Sequence, residues 1–162
     1  HQQENWRLQQ ISDILRQKAA KHDLDYTLVQ ALIWKESRYD SQAIGNKGEI
    51  GLMQIMDGAV SDWARVNKQP KPKKSDLFDP STNLEIGCWY LANACRHWSG
   101  YQSQKILALA EYNAGKSNVD KLWKPADPAT KIHPSDITFP STRSYISQII
   151  KKQHSILNAS ND

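Results

Sequence analysis

The sequence predicts an all-α, mainly helical protein, and three observations support this. Apolar residues recur at intervals of three and four along six segments, which is the spacing of one helix face. No segment worth naming shows the period of two that is typical of a half-buried strand. Glycine, proline and asparagine separate the periodic segments, as loops between helices require. The length of 162 residues suits one domain, so we expect a single domain over residues 1–162 with its core from about 6 to 157.

The first half of the chain contains three predicted helices. Residues 1–5 are expected to be a frayed polar lead-in, and the first helix to cover residues 6–20. Asp25 is placed to cap a second helix that ends near Glu36 or Ser37, because an aspartate side chain can accept from the first backbone N–H groups. A glycine-spaced loop follows, and Asp57 is expected to cap a short third helix over residues 58–66.

The second half contains three more predicted helices. The fourth starts at Ser81 or Thr82 and ends near Trp98, and the fifth follows a cap at Ser103. The apolar face of the fifth helix includes Leu109 and Ala110 and is expected to end at Asn113, three residues later. Residues 115–140 contain four prolines and are predicted to be irregular, with one helical turn at 119–123. The last helix is expected over residues 141–157.

Composition narrows the classes of function. The formal net charge is +4, which is small for a nucleic-acid-binding protein, and no aromatic residues interleave with the lysine-rich stretch 68–74. No apolar run approaches the ~20 residues that a membrane-spanning helix needs. Cys88 and Cys95 lie roughly 10 Å apart along one predicted helix, beyond disulfide reach, so both are expected to be reduced. The five histidines show no metal-ligand spacing.

Glu36 is the most informative single residue. The apolar face of the second helix, which includes Leu32 and Ile33, reaches Glu36 one turn later. Burial and the negative end of the helix dipole both favour the neutral carboxyl, so we expect a raised pKa and a general acid. Helix periodicity alone leaves open a glutamate that turns outward or pairs with Lys35 or Arg38.

Four motifs carry a resemblance to a known family. Residues 36–56 read ESRYDSQAIGNKGEIGLMQIM, residues 79–87 read DPSTNLEIG, residues 111–115 read EYNAG and residues 140–145 read PSTRSY. In this order they resemble the soluble lytic transglycosylases of bacterial cell walls, glycoside hydrolase family 23, over roughly residues 23–150. The resemblance implies a lysozyme-like, all-α transglycosylase domain with a glycine-spaced active-site loop.

The resemblance also implies roles for individual residues. Glu36 matches the single catalytic glutamate of the family, and Ser37 matches the serine beside it. We expect the matching polar groups from three helices to converge on one cleft. The residues implied to bind substrate are Ser37, Gln54, Met56, Tyr112, Asn113 and Tyr145.

The implied reaction uses one carboxyl group, whereas most glycosidases use two. Glu36 protonates the oxygen that links N-acetylmuramic acid to N-acetylglucosamine, then accepts the proton of the muramoyl C6 hydroxyl, which attacks C1. The product carries a 1,6-anhydromuramoyl end. The resemblance implies a monomer that acts on peptidoglycan strands in the periplasm or cell envelope, with no metal and no organic cofactor. It leaves membrane anchoring open.

Four positions depart from the family pattern and keep two alternatives open. Gly45 replaces a serine, Glu49 and Glu111 each replace an alanine, and Asp57 replaces a proline. Glu49 is a candidate second carboxylate, which could activate water and give a hydrolase of the goose-lysozyme type. The other alternative is a glycan-binding, wall-remodelling module of a secretion, conjugation or phage apparatus.

Overall fold

A computed structural model describes residues 1–161, and within that range the chain is helical without a named strand, as predicted. The α-helices are α1 (Gln2–Lys21), α2 (Tyr26–Ser37), α3 (Asp57–Val66), α4 (Pro80–His97), α5 (Gln104–Ala114), α6 (Lys116–Asn118) and α7 (Pro140–Ala159). Short 3-10 turns lie at Lys74–Phe78 and Pro134–Asp136, and a π-helical turn at Val119–Trp123. Residue 162, the last of the predicted single domain, lies outside the described residues.

The chain divides into two compact units, His1–Tyr90 and Leu91–Asp162, which we call the N-terminal and C-terminal units. The boundary falls inside α4, an uninterrupted helix of 18 residues. No helix in residues 1–161 combines the length and the apolar character needed to cross a membrane.

In the N-terminal unit α1 packs against α2. Asp25 caps α2 as predicted, since its carboxylate accepts from the Thr27 backbone N–H at 2.8 Å. The prediction of a frayed lead-in is wrong, because α1 is helical from Gln2 onward. The cap predicted at Asp57 is also wrong. Asp57 is the first residue of α3, and its carboxylate lies 2.9 Å from Lys71 Nζ, an ion pair that turns it away from the helix end.

A half-buried ion cluster ties α4 to α1 within the N-terminal unit. The Glu85 carboxylate accepts from Lys18 Nζ at 3.0 Å and Lys21 Nζ at 2.7 Å, and lies 2.7 Å from His22 Nε2. Burial alone would raise the pKa of Glu85. The three hydrogen bonds outweigh burial, because they favour the charged form, and lower the pKa from 4.5 to about 2.

In the C-terminal unit α5 packs against α7. Ser103 occupies the predicted cap position of α5, but its hydroxyl accepts from the Ile132 N–H at 2.7 Å instead of capping the helix. The predicted turn at 119–123 is present, and it buries Val119 and Trp123. Both cysteines are free, as expected; Cys88 is buried, and burial raises the pKa of its thiol to about 12.

Candidate active site

The end of α2 holds the predicted catalytic acid. Glu36 lies in the last turn, half-buried, and the next residue, Ser37, is buried and closes the helix. The Ser37 hydroxyl donates to the Leu52 carbonyl at 2.8 Å, with the Ile33 carbonyl also in reach at 3.2 Å. This hydrogen bond fixes the last turn of the helix to the glycine-spaced loop. As a substrate contact, Ser37 stays a prediction.

The backbone around Glu36 is strained. Arg38 and Tyr39 directly after the helix both have left-handed conformations (φ 53° and 64°), and Gln54 further along the loop has φ 50°. Non-glycine residues rarely adopt this region, and such strain is concentrated at functional sites. The Arg38 guanidinium stacks 3.7 Å above the Trp34 ring. The Tyr39 ring is buried, which raises the pKa of its hydroxyl to about 12.

Asn83 on α4 holds the loop in place. Its amide nitrogen donates to the Ile50 carbonyl at 2.9 Å and the Leu77 carbonyl at 2.8 Å, and its amide oxygen accepts from the Met53 N–H at 2.9 Å. This role was not predicted from the sequence, although Asn83 lies in the DPSTNLEIG motif. Gly51 is required here, because its φ is +77° and a Cβ would lie 2.3 Å from Asn83 Nδ2.

Two predicted sugar contacts lie at the outer edge of this loop. Gln54 is half-buried, and its amide nitrogen donates to the Gly51 carbonyl at 3.0 Å and the Ala43 carbonyl at 3.3 Å. These bonds orient the Gln54 amide oxygen away from the loop carbonyls. Met56 is 45% exposed, whereas its neighbours Met53 and Ile55 are buried.

Glu49, the candidate second carboxylate, folds back over the loop that contains it. One carboxylate oxygen, Oε1, accepts from the Lys47 N–H at 2.6 Å. The other, Oε2, lies 2.4 Å from the point where a Cβ on Gly45 would be. The structure therefore brings Ser37, Gln54 and Glu49 into a single loop system that begins at the end of α2.

The other predicted contacts belong to the C-terminal unit. Tyr112 is half-buried and Asn113 is exposed near the end of α5, whereas Tyr145 on α7 is only 3% exposed. The Thr142 hydroxyl donates to Asn113 Oδ1 at 2.7 Å, which ties the end of α5 to α7 three residues before Tyr145. With Oδ1 engaged, the Asn113 amide presents its N–H donors outward.

Asn113 was predicted to end the apolar face of α5, and this prediction is wrong. The buried polar residue of the helix is Glu111, which is 4% exposed. Its carboxylate accepts from Trp98 Nε1 at 2.9 Å and lies 2.8 Å from His97 Nδ1. A buried carboxylate needs such partners, and the sequence offered no local signal for partners 13 and 14 residues away.

Residues 1–161 contain no group of three or more His, Cys, Asp and Glu side chains that could hold a metal ion.

Comparison with known proteins identifies the family. The model of the transglycosylase SLT domain matches residues 13–133. A membrane-bound lytic murein transglycosylase C from Edwardsiella ictaluri is 27% identical over 117 residues, which are 68% of this chain and 33% of that protein. This chain thus spans about a third of the length of that relative.

Two solved structures are also similar. The first is lytic transglycosylase Slt from Pseudomonas aeruginosa, in a glutamine-for-glutamate mutant described as inactive. It matches with a TM-score of 0.78 and 27% identity over 91% of this chain and 24% of that one. The second, the 70-kDa soluble lytic transglycosylase of Escherichia coli, matches with a TM-score of 0.76 and 25% identity over 88% of this chain and 23% of that one. The predicted fold and family are confirmed, and the chain belongs to the transglycosylase SLT domain family.

Proposed function

We propose that this chain is the catalytic domain of a peptidoglycan lytic transglycosylase. It cleaves the β-1,4 bond between N-acetylmuramic acid and N-acetylglucosamine and leaves a 1,6-anhydromuramoyl end. Membership of the SLT family supports the reaction class, as do the relatives that bear the name of lytic transglycosylase.

Glu36 acts twice in the proposed reaction. As an acid it gives its proton to the glycosidic oxygen, so that the N-acetylglucosamine side leaves as an alcohol. The acetamido group of the substrate assists departure, with Tyr112 or Asn113 orienting it. As a base the Glu36 carboxylate then takes the proton of the C6 hydroxyl, whose oxygen bonds to C1. Protons balance, no water is consumed, and no metal or organic cofactor is required.

One observation carries the assignment of Glu36. The glutamate sits in the last turn of a helix whose end is fixed by the Ser37 hydroxyl to the Leu52 carbonyl at 2.8 Å, next to left-handed residues. A rigid, strained attachment of a carboxyl group is what a positioned general acid needs. In the Pseudomonas aeruginosa Slt, a glutamine-for-glutamate mutant is inactive, which further supports a glutamate as the essential group.

Digestion of purified sacculi followed by mass spectrometry of the muropeptides tests the proposal. We expect anhydro products, lighter by one water molecule than hydrolysed ones. Glu36→Gln should abolish release while the urea midpoint stays close to wild type. Asp62→Asn, an exposed acid on α3, is the matched control and should keep full activity. Activity retained in Glu36→Gln would refute the assignment.

The same digest separates the two other candidate functions. Reducing ends instead of anhydro ends would indicate a goose-lysozyme-type muramidase, with Glu49 activating water. Binding to sacculi without any soluble product would indicate a glycan-binding module of a larger wall-remodelling apparatus.

We also propose that residues 1–162 fold as one monomeric domain of the cell envelope. A unit boundary inside an uninterrupted helix is unlike the exposed, flexible linkers that separate independent domains. A single cooperative unfolding transition, coincident by fluorescence and circular dichroism, would support one domain, and two transitions would refute it. Sedimentation velocity tests the monomer, and fractionation of the host cell tests the location.

A further inference from the structure

Gly45 leaves space that two side-chain oxygens occupy. Its φ is not in the left-handed region, so its backbone does not itself demand glycine. A Cβ at this position would lie 2.4 Å from Glu49 Oε2 and 2.7 Å from Gln54 Oε1, both closer than real contacts allow. The absence of a side chain at residue 45 therefore lets the two oxygens approach the same face of the loop.

These two oxygens are acceptors without a donor. Gln54 uses its amide nitrogen on the Gly51 and Ala43 carbonyls, so Oε1 is the atom that faces Gly45. Glu49 uses Oε1 on the Lys47 N–H, and this leaves Oε2. Among residues 1–161 no group donates a hydrogen bond to Glu49 Oε2 or Gln54 Oε1.

Glu49 Oε2 and Gln54 Oε1 are both hydrogen-bond acceptors that lie next to Gly45. Two such oxygens repel each other unless a hydrogen-bond donor lies between them. Glu49 and Gln54 are both half-buried, so a ligand can reach the pair while water screens it less than at a free surface. A ligand group that fits here must donate hydrogen bonds. A hydroxyl, an amide N–H or an ammonium group qualifies, and a carboxylate or ether oxygen does not.

We propose that Glu49 Oε2 and Gln54 Oε1 form a recognition site for a hydrogen-bond donor of the glycan, which makes Glu49 a specificity-determining residue of this chain. This inference rests on the proposed function for the identity of the ligand. It differs from a role of Glu49 as a base, because a specificity residue acts on binding and leaves the chemical step unchanged.

The test measures kcat and KM for Glu49→Gln on fully N-acetylated glycan strands. Because the proposed reaction uses the acetamido group of the substrate, only dissociation constants are compared on the same strands after chemical N-deacetylation, with and without Glu49→Gln in the Glu36→Gln variant. Glutamine keeps an acceptor for the Lys47 N–H but offers an N–H₂ group to Gln54, which fills the place of the ligand donor. We expect KM to rise roughly 10- to 100-fold, the range of a charge-assisted hydrogen bond, with kcat within about twofold.

The two substrates identify the donor. A loss of binding that is larger on the deacetylated strands indicates an ammonium donor, an equal loss on both indicates a hydroxyl, and a loss confined to the acetylated strands indicates the acetamido N–H. Gly45→Ala should also raise KM, because its Cβ displaces the same two oxygens. Asp62→Asn serves as the control. An unchanged KM, or a fall in kcat with KM unchanged, overturns the proposal; the second result would instead indicate a base.

A binding measurement separates this proposal from the proposed function. The dissociation constant of Glu36→Gln for acetylated and deacetylated strands is compared with that of the double variant Glu36→Gln/Glu49→Gln. If wild-type protein releases no product but the double variant binds more weakly than the single one, the proposed function fails and the recognition site stands. If wild-type protein is active and the two dissociation constants agree, the recognition site fails alone. Matching urea midpoints for the variants exclude unfolding as the cause.

Discussion

Replacing Asn83 should weaken the fold more than any other single polar substitution in the loop region. Asn83 is fully buried and serves three backbone groups, the carbonyls of Ile50 and Leu77 and the N–H of Met53, at 2.8–2.9 Å. Alanine leaves the Leu77 carbonyl and the Met53 N–H without this partner, whereas the Ile50 carbonyl keeps a hydrogen bond from the Ile55 N–H at 3.0 Å. Each buried group that loses its partner costs about 1–3 kcal/mol, and because both depend on one side chain their costs do not simply add.

We therefore expect Asn83→Ala to lower the free energy of unfolding by roughly 3–5 kcal/mol, a large part of a typical total of about 5–15 kcal/mol. Asn83→Asp separates the contributions. It keeps the acceptor for Met53 N–H but directs a carboxylate oxygen at two carbonyls, so this variant should become more stable, relative to wild type, as pH falls and the new carboxyl takes up a proton.

Urea denaturation followed by tryptophan fluorescence measures these changes, and Asn93→Ala on the same helix is the control. Asn93 is only half-buried, and its substitution should change the free energy of unfolding by no more than about 0.5 kcal/mol. If Asn83→Ala falls within about 1 kcal/mol of Asn93→Ala, the three hydrogen bonds do not hold the loop and the reasoning is wrong.

Three further predictions concern other parts of the chain. The pKa of the Glu85 carboxyl is lowered from 4.5 to about 2, so its contribution to stability is present above pH 4.5 and is lost as the pH falls toward 2. The free energies of unfolding of wild type and Glu85→Gln should therefore differ by at most roughly 3 kcal/mol near neutral pH and should converge in acid. A double-mutant cycle between Gly45→Ala and Glu49→Ala should give a coupling of about 1 kcal/mol or more, because removing the carboxylate relieves the shortest contact of the added methyl group and leaves only the contact with Gln54 Oε1. Additive urea effects would contradict this. Thr142→Val should cost about 1 kcal/mol in thermal unfolding and slow muropeptide release, since it removes the hydrogen bond that orients Asn113; unchanged release would contradict the role given to that amide.

The parts of the fold that depend on local chemistry were predictable from the sequence. Asp25 caps α2 because its carboxylate needs only a backbone N–H two residues away. The turn at 119–123 is short because it lies between Gly115, which follows the end of α5, and Pro125, which cannot continue a helix. The end of α2 at Ser37 and the position of Glu36 in its last turn follow from helix periodicity.

The parts that depend on distant partners were not predictable. Asp57 has the residue type and position of a helix cap, but Lys71 attracts its carboxylate from 14 residues away. The sequence near Asn83 shows only a polar residue close to the start of a helix. Its hydrogen-bond partners could not be predicted, because they lie up to 33 residues away in the sequence. In α5 the periodic pattern predicted that Asn113 is buried, but the buried polar residue is Glu111. Its carboxylate can be buried because His97 and Trp98 both form hydrogen bonds with it.

Glu49 and Glu111 each replace an alanine of the family pattern, but their carboxylates differ in their hydrogen-bond partners. At Glu111 the carboxylate is buried, and both oxygens have partners in Trp98 and His97, so the substitution is satisfied within the protein. In half-buried Glu49 only one carboxylate oxygen, Oε1, accepts a hydrogen bond, from the Lys47 N–H. The other oxygen, Oε2, and the Gln54 amide oxygen both lie next to Gly45. An acceptor that the protein leaves without a donor, in the loop that follows the proposed acid, is available to a ligand. Because the resemblance alone treats the two departures alike, the distinction that makes Glu49 the candidate for glycan recognition comes from the hydrogen bonds of each carboxylate.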